Sequence, residues 1–327
     1  MAGENLPRDS DSSGLRLAGA VGRVRQPRWR LYRRVVISPQ PFGAAADFKL
    51  SITQALADQL AERLWPLRPA PLSENSLAQV ENRPGVYELF LADQRVYVGK
   101  ASRSLPARLR NHARKLSGRT GLSLATVSFI CLYVDEDLEA AAPETLLIKK
   151  YRDVGGSPWN TNGFGNKDPG RRRDTSEITA DHFDALYPID INATVELTPG
   201  AWRLDELLAE VKAQLPYNLR YERTSAAARQ HYQATLHVES PAPSARQLAE
   251  LVLTALPAGW QLTVLPGYAI LYQETIDYQT ALAWWRSTTT GAVETPGPAH
   301  TAPPANNQLL FSEEPADDDD PEDISLR

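Results

Sequence analysis

Gly85-Val-Tyr-Glu-Leu-Phe-Leu-Ala-Asp-Gln-Arg-Val-Tyr-Val-Gly99 is two β-rich runs folded about Ala92-Asp-Gln-Arg95, and it predicts a hairpin. Outward from it, Leu105 to Leu116 repeats leucine at helical spacing and is strongly basic, so a helix is expected. Thr126 to Val134 reads as a buried strand. Ala140 to Tyr151 reads as a second helix, with Pro143 tolerable in its first turn. Residues 155–175 are a Gly/Asn/Pro-rich loop around Trp159. Before the hairpin, Ser51 to Leu64 places apolar residues three and four apart behind a serine cap, an amphipathic helix that Pro66, Pro69 and Pro71 end. The expected class is α/β (α+β): a small antiparallel or mixed sheet flanked by helices, over residues 36–195.

A second unit, residues 198–287, begins near Thr198-Pro-Gly200. Its pattern predicts helix Leu204–Leu215, strand Leu219–Glu222, strand Tyr232–Val238, helix Ala245–Leu256, strands Trp260–Val264 and Tyr268–Tyr272, and a short helix reaching Trp284 and Trp285. This is a small α+β module with helices on one face of an antiparallel sheet. His231 and His237 are expected as ordinary residues of one strand. Residues 1–35 read as a basic disordered arm, and 288–327 as a disordered acidic tail.

The net charge of −5 conceals two opposite segments. Residues 313–327 hold eight acids against Arg327 alone, so the other 312 residues carry +2. Residues 16–34 contain seven arginines and no acid, and 95–120 contain eight Lys and Arg and no acid. Such clusters suit a phosphate backbone as partner, or simply a solvated basic helix face. One cysteine, Cys131, excludes an internal disulfide, and no Cys/His spacing suits a structural zinc. No apolar run is long enough to span a membrane, and the first 30 residues lack the apolar core of a signal peptide. A reducing, cytoplasmic setting is expected.

Gly85-Val86-Tyr87 and Tyr97-Val98-Gly99 are two half-motifs with nine residues between their tyrosines. Alone they serve cross-strand packing as readily as chemistry. An ordered set follows them: Arg108 and His112 on one helix face, Glu144 opening the second helix, then Trp159-Asn160 and Asn162-Gly-Phe-Gly-Asn-Lys-Asp-Pro-Gly170. In this order and these contexts the set resembles the GIY-YIG nuclease superfamily, and in the His after the Arg and the Trp-Asn…Gly-Phe-Gly-Asn run, its type II restriction endonuclease branch. The resemblance covers about residues 40–190.

The resemblance implies a sequence-specific endonuclease acting on double-stranded DNA, with one Mg²⁺ or Mn²⁺ per active site. It further implies a bacterial host, a homodimer on a palindromic site and a cognate methyltransferase. A repair or mobile-element nuclease of the same fold, or a catalytically silent DNA-binding module, are the alternatives. Hydrolysis of a phosphodiester needs an activated water, neutralised phosphoryl charge and help for the leaving oxygen. Glu144 is the candidate metal ligand, being the sole carboxylate of the set. Arg108 would brace the phosphate with its planar fork of donors. Tyr87 would position or deprotonate water if Lys100, Arg108 or the metal lowered its pKa; Tyr87 and His112 are both open as the general base. Tyr97 is a neighbouring or phosphate contact, and Asn160 orders the site by hydrogen bonds, with Asn162 as its substitute. Arg110, Arg114, Lys115, Lys167, Arg171, Arg172 and Arg173 are the candidate DNA contacts, for reading guanine edges or holding phosphates.

Overall fold

The computed structural model describes residues 51–134, 143–152, 156–165 and 170–298. The chain divides into Met1–Lys49 and Leu50–Arg327, and the described residues belong to the second unit. The expected arm, the tail beyond residue 298 and Lys167 lie outside the described residues.

Helix α1 (Ile52–Leu64) starts where Ser51 accepts a hydrogen bond from the Gln54 amide, the cap expected of that serine. After β1 (Ala70–Pro71) and a one-turn α2 (Glu74–Leu77) come β2 (Gly85–Leu91) and β3 (Gln94–Ala101). The hairpin is tighter than the expected four-residue turn. Ala92 and Asp93 alone make it, both at positive φ (47° and 65°), the twist that matches two antiparallel strands. Helix α3 (Leu105–Ser117) is capped by Ser104 and carries Pro106 in its first turn. Strand β4 (Val127–Tyr133) and helix α4 (Pro143–Tyr151) complete the sheet and its cover. The strand order is β1-β4-β2-β3, so β2 is flanked on both sides and all its pairings are antiparallel.

Alternation along β2 divides the chemistry of its two faces. Val86 packs with Leu60 and Leu64 of α1 and Leu147 and Tyr151 of α4. Tyr87 and Leu89 point the other way, into a cluster with Tyr97, Leu105, Leu109, Leu116, Trp159 and Phe164. Gly85 is required at the start of β2: a Cβ there would lie 2.3 Å from the Leu132 carbonyl oxygen and 2.8 Å from Leu105 Cδ1.

The second segment runs α5 (Phe183–Leu186), β5 (Gly200–Arg203), α6 (Leu204–Gln214), β6 (Asn218–Tyr221), α7 (Ala226–His231), β7 (Thr235–Val238), α8 (Ala245–Ala255), β8 (Gln261–Val264), β9 (Tyr268–Tyr272), β10 (Ala283–Thr288) and β11 (Gly291–Pro296). Four expectations are corrected. The sheet is mixed rather than antiparallel: its order is β11-β10-β8-β9-β6, and β6 runs parallel to β9. Trp284 and Trp285 lie in strand β10, not a helix, because β8 and β11 pair with it on both edges. Order continues past residue 288, since β11 is the return arm of that hairpin. His231 ends a helix and Tyr232 caps it, so His231 and His237 share no strand; Trp260 Nε1 donates to His231 Nδ1 at 3.2 Å.

The two sheet-bearing segments fall within the unit Leu50–Arg327. Arg119, just past α3, is 5% exposed and donates from Nη1 to Asp184 at 2.8 Å, to the Tyr187 carbonyl at 3.0 Å and to the Pro266 carbonyl at 3.3 Å. Backbone bonds from Ile189 to Pro266 and from Asp190 to Gly118 run beside it.

Candidate active site

Tyr87 and His112 are brought together by two separate periodicities. Tyr87 sits on the α3-facing side of β2, and His112 lies one turn beyond Arg108 on the face of α3 turned to the sheet. The Tyr87 hydroxyl and His112 Nε2 are 2.6 Å apart, and Arg108 Nε donates to the same hydroxyl at 3.3 Å. The phenol oxygen already accepts from arginine. The imidazole tautomer with its proton on Nδ1 leaves Nε2 to accept the phenol's proton.

Burial sets both protonation states. Tyr87 is held well above the usual phenol value by desolvation first and by Tyr97 next; Arg108 opposes this and Glu144 adds to it. His112 is held well below its usual value by desolvation, then by the charges of Arg108 and Lys115. Arg108 lowers the Tyr87 pKa, as a nearby cation should, but burial outweighs it. The resting pair is neutral phenol on neutral imidazole.

Aromatic rings frame the pair. His112 stacks on Phe164 at 5.1 Å between centroids, and Tyr97 meets the His112 ring edge-on at 5.4 Å. Phe164 belongs to the Gly-Phe-Gly run, whose glycines the sequence displayed without revealing the ring's task. Gly165 leaves room for the Tyr97 hydroxyl, which a Cβ there would meet at 3.1 Å. Gly99 is more constrained: a Cβ would lie 2.3 Å from both Cζ and the hydroxyl of Tyr87. The glycine of the second half-motif is thus the space in which the first half-motif's phenol sits.

Asn160 closes the frame from the edge of the sheet. Its Oδ1 accepts from the Val98 amide at 2.9 Å, and its Nδ2 donates to the Val98 carbonyl at 2.7 Å. This two-way clamp satisfies one residue of edge strand β3, between Tyr97 and Gly99. Asn162, the substitute weighed for it, has a buried Oδ1 with no hydrogen-bond partner among the described residues.

Glu144 lies in the first turn of α4, half-buried, and acts electrostatically on the Tyr87 phenol. On the opposite face of β2, buried Glu88 accepts from Arg95 Nε at 2.7 Å, and the Arg95 guanidinium lies 3.6 Å from the centre of the Tyr151 ring. That cluster, which the sequence did not reveal, ties the last turn of α4 to the hairpin. Lys100 lies on β3, half-buried, beside Gly99. The described residues hold no group of three or more His, Cys, Asp or Glu side chains placed to bind a metal. A half-buried carboxylate such as that of Glu144 suits a cation like Mg²⁺, which keeps much of its water and takes substrate phosphate as a further ligand.

The described side chains among the candidate DNA contacts each engage groups of the chain itself. Arg110 pairs with Glu74 at 3.0 Å. Arg114 donates to the carbonyls of Ala213 and Leu215, at the C-terminal end of α6. Lys115 donates to the Phe164 carbonyl and lies over that ring at 4.8 Å. Arg171 pairs with Glu274 at 2.9 Å while lying over Tyr272. Lys167 and the side chains of Arg172 and Arg173 lie outside the described residues. The chain's own carbonyls and carboxylates engage the described basic side chains of this set, which sequence spacing alone does not disclose.

A buried phenol–imidazole pair, a guanidinium on the phenol oxygen and an acidic helix start thus stand together in the hairpin-and-helix frame. Residues 90–213 match the family model described as the Eco29kI GIY-YIG domain, a restriction endonuclease family whose activity is DNA cleavage. Residues 90–213 are thus similar to an Eco29kI-type GIY-YIG domain. Tyr97, Arg108, His112, Glu144 and Asn160 fall within the match, Tyr87 precedes it by three positions, and β6 to β11 follow it. No curated protein matches the chain. Among the described residues no helix is long and apolar enough to cross a membrane.

Proposed function

We propose that this nuclease cuts double-stranded DNA at specific sequences, using one divalent cation, Mg²⁺ or Mn²⁺, in each active site. The observation that carries the chemistry is the 2.6 Å contact between the Tyr87 hydroxyl and His112 Nε2, with Arg108 on the same oxygen. A water beside the phenol gives its proton to the Tyr87 oxygen while the phenol's own proton passes to His112 Nε2. The phenol is re-formed, the imidazole becomes imidazolium and the water attacks phosphorus. In this reading His112 is the terminal base and Tyr87 the relay. A lowered His112 pKa keeps the imidazole unprotonated and ready at neutral pH.

Arg108 shifts its donors from the phenol to a phosphoryl oxygen as charge develops there. Glu144 would hold the cation, which when bound supplies Lewis-acid neutralisation of the phosphate and of the leaving 3′-oxygen. Asn160 keeps β3 in register so that Tyr97 and Gly99 hold their places against Tyr87. Two copies on a palindrome supply the two cuts of a double-strand break, and a cognate methyltransferase protects the host's own sites.

The test is digestion of unmethylated DNA of known sequence with Mg²⁺ and mapping of the ends. Discrete bands with one shared end sequence support the proposal; nicks or a smear contradict it. Glu144→Ala is expected to lower cleavage by on the order of 10³-fold or more while DNA affinity stays within a few-fold.

A further inference from the structure

Asp174 directly follows the Gly170–Arg173 turn, and it is 1% exposed. Its Oδ1 accepts from the Tyr268 hydroxyl at 2.8 Å and from Arg220 Nη2. Its Oδ2 is buried with no hydrogen-bond partner among the described residues. Arg220 and Tyr268 stand on the parallel neighbours β6 and β9, and the guanidinium lies over the phenol ring at 4.6 Å. The two groups that grip the carboxylate therefore also grip each other.

The other end of the turn is fixed as well. Arg171 reaches Glu274, which also accepts from the Tyr278 hydroxyl at 2.7 Å. Arg220, Tyr268, Glu274 and Tyr278 all lie beyond residue 213, where the family match ends. A buried ion pair is a poor means of adding stability, because desolvation consumes most of the attraction and packed apolar side chains do as well. What a charged, hydrogen-bonded lock provides is a single register, since any slip strands a buried charge.

We propose that Asp174 is a positioning residue for DNA recognition. Through Arg220 and Tyr268, the C-terminal sheet fixes the register in which the arginine-bearing turn at 170–173 meets DNA. This assigns the module a part in specificity and none in the chemical step. The inference rests on the DNA-cutting function proposed above.

The test uses the full-length protein on an unmethylated plasmid of known sequence at saturating Mg²⁺. Asp174→Asn removes the charge, and Asp174→Leu with Arg220→Met and Tyr268→Phe replaces the whole lock by apolar packing. In each variant that folds, KM is expected to rise roughly tenfold. kcat is expected to stay within about twofold, and mapped ends to spread to sites differing at one position. A folded variant with wild-type KM and wild-type ends overturns the proposal, whatever its melting temperature. Failure of both variants to fold makes the lock a stability element and overturns it too. Wild-type protein that leaves the plasmid whole overturns the DNA-cutting function itself, and this inference with it.

Discussion

The catalytic centre and the C-terminal anchorage are both buried polar constructions, yet they are built on opposite principles. At the centre, a neutral phenol–imidazole pair and one guanidinium meet across short stretches of chain: Tyr87 and His112 are 25 residues apart, Arg108 and Tyr87 are 21 apart. At the anchorage, ion pairs meet across longer ones, 46 residues from Asp174 to Arg220 and 65 from Arg119 to Asp184. The first arrangement sets a neutral phenol 2.6 Å from a neutral imidazole, the geometry proposed above for proton transfer. The second forbids movement, since each buried charge depends on one partner geometry.

The comparison is broken most severely at the anchorage by Arg119→Ala, which leaves buried Asp184 without its guanidinium. A loss of about 3–5 kcal/mol in unfolding free energy is expected. In the fraction that remains folded, single-turnover cleavage should stay near wild type. Denaturant unfolding paired with quench-flow separates the two, and a large kcat loss without destabilisation would place Arg119 in the chemistry.

Gly99→Ala puts the same question to the centre. A Cβ 2.3 Å from the Tyr87 hydroxyl must displace the phenol. Stability should fall by about 1–3 kcal/mol, the usual cost of overpacking, and cleavage should fall further than stability explains. Cleavage unchanged by this substitution would mean that the Tyr87 position does not matter.

A smaller effect concerns pH. The folded protein holds His112 below its unfolded value of about 6.5. The unfolded chain then binds the proton more readily as pH falls below that value. The stability due to neutral His112 is complete above about 6.5 and is lost toward the lowered folded value, at up to about 1.4 kcal/mol per pH unit. His112→Asn should remove this part of the acid slope. Cleavage by wild type should likewise keep its His-dependent acid limb below about pH 6.5. An acid limb above that value contradicts a buried neutral base.

Legibility in the sequence follows the same divide. The hairpin, the shared face of Arg108 and His112 and the order Tyr, Tyr, Arg, Glu, Asn were visible because local periods of two and 3.6 place those side chains. The direction of the Tyr87 shift was not, since it depends on how completely both sheet faces are covered. Nor were the acceptors for Arg114, Arg171 and Lys115, which are carbonyls and a carboxylate far along the chain. Trp284 and Trp285 were misassigned for a related reason. An apolar run of that length suits a short helix equally well, and pairing with β8 some 20 residues earlier decides it. Tyr232 similarly caps α7, a helix whose Ala-rich start carries no strong apolar period.

The most direct measurement is single-turnover cleavage by Tyr87→Phe on mapped DNA at saturating Mg²⁺, beside its DNA affinity. This variant deletes one oxygen and keeps the ring. The account predicts a rate lower by roughly 10²- to 10⁴-fold with affinity unchanged. A rate within a few-fold of wild type would contradict proton transfer through the phenol to His112.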